Sequence, residues 1–224
     1  MQACLQLVSQ DLQQSIDTSV AEYLQHARGR STIYYGDEVV PYPRTTNHPY
    51  FKDIQYVESR LSYNNAVYPD VLLRLDLNRD ELIALSPDFQ KNILFPENVD
   101  FADLHGKRFI YFQKDSLQGC PPSGYYILLH SGTYMLMEKI AVEVIERVDI
   151  NGVERTFRFS PRYYLLKDGK YHRIKNKNGL LKPLRQQKKE LKQFISTHRL
   201  NFKKDAEMFL TYTIKEYEKL TGKE

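Results

Sequence analysis

Asp76-Leu-Asn-Arg-Asp80 is the closest approach of this 224-residue chain to a ligand-binding motif, opening like the D-x-N-x-D of a calcium loop. Such a loop needs Gly at its sixth position and a bidentate Glu at its twelfth, and those positions hold Glu81 and Pro87. The acids therefore read as turn formers. His26, His48, His105, His130, His172 and His198 are scattered, without an H-x-H or HExxH pair or a close cysteine. There is no G-x-S-x-G elbow, Walker loop or G-x-G-x-x-G turn. Asp70 and Asp76 have the residue types of a glycosidase acid pair, but an alternating strand puts both on its outward face as solvated charge. No catalytic residue, metal site or cofactor is nominated.

Two groups of residues remain as candidate binding surfaces. Tyr34, Tyr35, Tyr42, Tyr50 and Tyr56, with Phe51, offer a stacking platform for sugar rings or bases. The competing reading is tyrosines packed structurally on a sheet, and the absence of Trp weakens the carbohydrate reading. The second group is basic: Arg173, Lys175, Lys177, Arg185, Lys188 and Lys189, within a stretch that also holds Lys182. The chain's net charge of +4 hides this asymmetry, because residues 162–199 alone carry 12 Lys/Arg against 2 Asp/Glu. A run of this kind can recruit nucleic acid, anionic lipid or an acidic partner, although most charge runs are solvated helix faces. Nucleic acid is disfavoured, because a binder interleaves exposed aromatics with cations on one face.

These residues must be held by an antiparallel sheet. In Tyr63–Ile83 the odd positions Val67, Val71, Leu73, Leu75 and Leu77 are apolar. The even positions Tyr68, Asp70, Arg74 and Asp76 can face water, giving the period of two of a half-buried strand. Asn64-Asn65, Ser131-Gly132, Asn151-Gly152 and Asp168-Gly169 are hairpin turns. Short β-prone runs at Thr32–Tyr35, Glu38–Val40 and Ile54–Val57 precede them. Residues 11–28 have helical spacing, and two helices follow Asn178-Gly179: one ends near His198, and the second takes Asn201 as its N-cap. The expected fold is α+β, with an N-terminal helix, a large curved antiparallel β-meander of about ten strands, and a C-terminal helical pair. The expected layout is an N-terminal segment 1–30, a β domain 31–178 and a helical pair 179–224 packed on the sheet. With no Gly-Pro-Ser linker, the three make one continuous unit.

Hydrophobic residues at 42% and charged residues at 27% suit a soluble chain, and no apolar run reaches membrane-spanning length. Cys4 and Cys120 cannot make a metal site alone; spacing leaves open whether they pair or stay free. Val8-Ser-Gln-Asp11 looks like the tail of a signal peptide with a mature start at Gln10, so the true start is expected upstream of Met1.

The strand Tyr63–Ile83, the following Phe101-x-x-Leu-x-Gly-x-x-Phe109, and the C-terminal runs Tyr163–Lys170 and Lys188–Lys192 resemble uncharacterised secreted proteins of the Bacteroidota. The resemblance covers roughly residues 31–220 and implies export to the periplasm or cell surface, with the cytoplasm as runner-up. It implies no catalytic residues. The leading expectation is a non-enzymatic cell-envelope binding module whose partner is an envelope protein or glycan. The alternatives are a hydrolase of envelope polymers with residues from distant strands, and nucleic-acid binding through the basic segment.

Overall fold

Asn64 and Asn65 both take the left-handed conformation (φ 52° and 61°) that a tight two-residue hairpin requires. They join β2 (Val57–Tyr63) to β3 (Ala66–Asp76). In this computed structural model, which describes residues 33–222 except 35 and 151, eleven strands form one open antiparallel sheet. The other strands are β1 (Asp37–Glu38), β4 (Glu81–Leu85), β5 (Lys91–Ile93), β6 (Val99–Leu104), β7 (Lys107–Phe112), β8 (Gly124–Ser131), β9 (Met135–Asp149), β10 (Gly152–Lys167) and β11 (Lys170–Ile174). Three helices follow: α1 (Lys177–Leu181), α2 (Lys188–Thr197) and α3 (Ala206–Thr221). The class is α+β. The predicted helix over 11–28 lies outside the described residues, as do Cys4 and the Gln10 start.

The order is β1-β5-β4-β3-β2-β6-β7-β8-β9-β10-β11. The chain runs one meander outward from β2 to β5, returns to the other side of β2, and runs a second from β6 to β11. A single continuous meander is therefore corrected to two that share β2. The sheet also curls on itself. Segment 44–51 bonds to β10 through Thr46 (N–H to the Arg155 carbonyl, 2.9 Å) and to β3 through Phe51 (N–H to the Leu75 carbonyl, 2.9 Å). Between them the Asn47 amide exchanges two 2.8 Å bonds with the Phe157 backbone.

The predicted alternation in β3 holds only beyond Asp70. Val71, Leu73 and Leu75 are buried, but Val67 is exposed and Tyr68 is buried in its place. Ser59 pairs with Val71 while Leu61 pairs with Tyr68, so β3 carries one extra residue. A bulge at Pro69-Asp70 inverts the phase, at a position where Pro has no N–H to give the ladder. Asp76 is also buried rather than outward-facing, and it does not pair with Asp70 as surface charge. It accepts the Asn78 N–H (2.9 Å), the Arg79 N–H (3.0 Å) and the Tyr42 hydroxyl (3.0 Å).

The helices bury their apolar stripes on the last three strands. Leu191, Ile195, Phe209, Leu210, Ile214 and Tyr217 pack with Leu136, Tyr163, Leu165 and Ile174. Asn201 does not cap α3: its side chain accepts the N–H groups of Lys203 and Lys204 in a turn, and Asp205 accepts the Met208 N–H (2.8 Å) as the true cap. Asn176 caps α1, which the pattern of apolar residues did not announce.

Glu218 ties α3 to the β8–β9 turn. One carboxylate oxygen accepts the Tyr134 N–H (2.9 Å) and the other lies 2.7 Å from Nε2 of His130. The turn has no room for a side chain at Gly132, since a Cβ there would stand 2.7 Å from that carboxylate. Glu218→Ala leaves the Tyr134 amide without its acceptor and is expected to cost about 2–3 kcal/mol of unfolding free energy in urea denaturation. A change within error would show that the clamp is not needed.

Candidate functional site: a basic cleft at the β10–β11 hairpin

The hairpin that ends the sheet turns at Asp168 and Gly169, both at positive φ (50° and 70°). In this ladder Lys167 faces Lys170, Leu165 faces His172 and Tyr163 faces Ile174. Cross-strand partners share a face, so Lys167, Lys170 and His172 project on the side where Leu165 and Ile174 meet the helices. Across from them lie α1 and the short turn that follows it. Between these elements is a cleft of about 770 Å³. Lys167, Lys170, Arg173, Lys182 and Arg185 line it with His172 and Gln186, and its one carboxylate is Asp168.

Lys167 forms the floor and is only 9% exposed. Burial works against its charge, but its bond to Asp168, with Tyr217 and Tyr134 beside it, outweighs that and raises its pKa. The ammonium lies 5.3 Å from the Tyr134 ring centre and 5.7 Å from that of Tyr217, a cation over two aromatic faces. The Tyr217 hydroxyl donates to Oε1 of Gln186 (3.1 Å), which fixes that amide at the rim. The hairpin is held from the other side by loop 115–120. Gln118 accepts the Tyr171 N–H (2.9 Å), and the Tyr171 hydroxyl donates to Asp115 (3.2 Å), its pKa pushed up to about 12 chiefly by burial. The arrangement can hold negative charge.

Of the predicted basic residues, Arg173 and Arg185 line this cleft. Lys188 and Lys189 line a neighbouring one with Arg185, and Lys175 lines a third with Arg173. Lys177 begins α1 and is exposed, outside all three. Lys167 and Lys170, which flank the hairpin turn, line the cleft as well and are not among the predicted basic residues. The signal for them was the Asp168-Gly169 turn, which sets Lys167 opposite Lys170 once the period of two is applied.

The aromatic group does not make a platform. Tyr50 and Tyr56 clasp the Arg74 guanidinium, 3.8 and 4.3 Å from their ring centres, and Arg74 donates to the Ile54 carbonyl (2.7 Å). Arg79 lies 4.1 Å over Tyr42, whose edge meets Phe157. Tyr34 packs against the core beneath β2–β8, and Tyr35 is outside the described residues. The rings of Tyr42, Tyr50 and Tyr56 are thus engaged by the protein's own cations.

One carboxyl has the protonation behaviour of a general acid. Glu138 on β9 is pushed up to about 7, first by burial and then by the Glu207 carboxylate, with Lys107 opposing. Lys107 and Glu207 are themselves paired. Glu138 sits between Ile127 and Tyr163 in the sheet and lines none of the clefts described here. Among the described residues, no group of three His, Cys, Asp or Glu side chains could hold a metal ion. No helix among them is long and apolar enough to cross a membrane.

No protein-family model, curated protein or solved structure matches this chain.

Two pH effects follow from this region. Glu138 ionises in the unfolded chain near its ordinary 4.5 but only near 7 when folded. The folded state therefore carries no penalty below 4.5, a growing one between the two values, and the full one above 7. Glu138→Gln is expected to gain about 1–2 kcal/mol at pH 8, allowing for partial solvent contact, and nothing at pH 4. Urea titrations at the two pH values check this, and equal gains at both would refute it. His172 has the opposite origin. Burial first, then Lys170 and Lys167, hold its pKa below 6.5. Its contribution is full above 6.5 and declines as the pH falls below that value, because the unfolded chain takes the proton first. His172→Gln should flatten that part of the stability profile, and an unaltered slope would exclude the histidine.

Proposed function

We propose that this protein is a non-enzymatic binding module that holds an anionic partner in the cleft between the β10–β11 hairpin and α1. The observation that carries the reading is the set of five cations around one carboxylate, with the ammonium of Lys167 buried at the floor. An ammonium kept charged by its own carboxylate and two tyrosines, on the lining of an open basic cleft, fits a role in binding. The other four cations that line the cleft add long-range attraction for a negative ligand. The resemblance to secreted proteins of the Bacteroidota supports a place at the cell envelope, where the partner would be an acidic protein or glycan. Recovery of the native protein from the cytosolic fraction would remove that part.

The cleft itself is tested with citrate, a compact trianion, titrated calorimetrically into the intact chain. Binding is expected at low salt and should weaken steeply as salt rises, since each ion contact is screened. Lys170→Ala combined with Lys182→Ala should lose at least about tenfold in affinity, the effect of about 1.4 kcal/mol. Absence of citrate binding at low salt, or full binding by the double variant, would overturn the assignment.

A further inference from the structure

The cleft does not stand alone. Arg173 is shared with a second cleft of about 510 Å³, whose other cations are Arg162, Lys175 and Lys203. Arg185 and Gln186 are shared with a third of about 490 Å³ along the first turns of α2, which adds Lys188, Lys189 and Lys192. Shared walls make the three a single track. Along it eleven cations meet two carboxylates, Asp168 and Glu190. β11, which forms its middle, is five residues long, or roughly 17 Å. A compact anion fills one cleft and leaves the flanking cations unused.

We propose that the ligand of this track is an acidic polysaccharide, lying across all three clefts as a chain. The inference rests on the anion-binding reading of the central cleft and extends it to a substrate class. Length and charge point to a linear polyanion, and three features select among polyanions. First, among the described residues the track presents no free tyrosine or phenylalanine face for base stacking. Tyr163 and Tyr171 are buried, and Phe202 is engaged edge-on by Tyr163 and Phe209. Single-stranded nucleic acid binders depend on such rings. Second, eight of the eleven cations are lysines, compact point charges without a fixed fork geometry, which suit anionic groups spaced along a flexible chain. Third, two amides stand on the track with their oxygens already occupied. Oδ1 of Asn176 accepts the Gly179 N–H (2.9 Å) and Oε1 of Gln186 accepts the Tyr217 hydroxyl (3.1 Å). Each amide is thereby left with its NH₂ group as a neutral donor on the track, and sugar hydroxyls are acceptors for such donors.

Affinities of the intact chain for citrate, polygalacturonate, heparin, polyuridylate and long-chain polyphosphate at one salt concentration test the assignment. Polygalacturonate or heparin is expected to bind at least about tenfold more tightly per site than citrate, with a steeper salt dependence. Charge reversal at either end, Arg162→Glu with Lys203→Glu or Lys189→Glu with Lys192→Glu, should bring the polymer's affinity down toward that of citrate. Lys91→Glu, an exposed site on β5, controls for net charge and should leave the polymer's affinity as it was. Equal binding of citrate and polymer overturns the track while leaving the central cleft in place. Tighter binding of polyuridylate or polyphosphate than of either polysaccharide overturns the ligand class. An equal loss in the Lys91 variant reduces the effect to overall charge and overturns the proposal.

Discussion

The ion pair between Lys139 and Asp80 holds the curl of the sheet, and the remaining geometry depends on it. Lys139 lies on β9, five places from β3 in the strand order, yet its ammonium reaches the turn after β3. Asp80 takes a left-handed φ of 57° to present its carboxylate, which also accepts the Tyr125 N–H (3.1 Å). Lys139 completes the contact by donating to the Tyr125 carbonyl (3.2 Å). Gly124 makes this approach feasible, because a Cβ there would stand 2.4 Å from the ammonium and 2.6 Å from the carboxylate. Burial pushes the lysine's pKa down and Asp80 opposes it. Such a pair is weak as a source of stability but strict about partners, since the buried ammonium of Lys139 would lose its counter-charge without Asp80. Its contribution is to select one curvature among the many that an open sheet could adopt.

That curvature decides which faces are available. The inner face of β2 to β8 closes over Leu61, Leu73, Leu75, Phe109 and Tyr125, with Val142 of β9 packed against it. The same side of β9, β10 and β11 is left to the helices, which cover it through a separate cluster. The two clusters meet at Leu129, which packs against both. The helices therefore sit over the last three strands, and the loop from β11 through α1 to α2 must cross the hairpin end. The basic cleft is the space left by that crossing. Lysines on the hairpin and on the loop face one another because the chain has to turn back there.

The parts of this arrangement that the sequence makes legible are those written in local conformational preference. Asn64-Asn65 and Asp168-Gly169 tolerate positive φ, and they place two hairpins where the structure has them. The apolar spacing of Leu191 and Ile195, and of Phe209 to Tyr217, likewise gives the helices and their buried sides. What is not legible depends on partners distant in the chain. The Pro69-Asp70 bulge reverses a strand's face without altering its apolar count, so Tyr68 enters the core where Val67 was expected. Asn201 and Asp205 are both good caps, and the choice falls to Asp205 because 201–204 form their own turn. The tyrosines were legible as a group but not in their role, because Arg74 and Arg79 come from the strand and turn opposite. The basic residues were legible as a run. Their union with Arg162 and Lys203 into one track follows only from the return of the chain over β11.

Lys139 and Lys167 make an instructive contrast, because both are buried lysines beside an aspartate. Lys139 is enclosed: its carboxylate, its carbonyl and the missing Cβ of Gly124 leave no site for anything from outside. Its pKa falls, as burial dictates when partners only partly compensate. Lys167 is as buried by area, yet its pKa rises, because Asp168 at the cleft and the rings of Tyr217 and Tyr134 together outweigh burial. The enclosed charge fixes a shape, whereas the other lies on the lining of the cleft, where the proposed ligand would meet it. The second arrangement fixes no strand, and a lysine so little exposed distinguishes the basic cleft from the solvated lysine face that a charge run ordinarily makes.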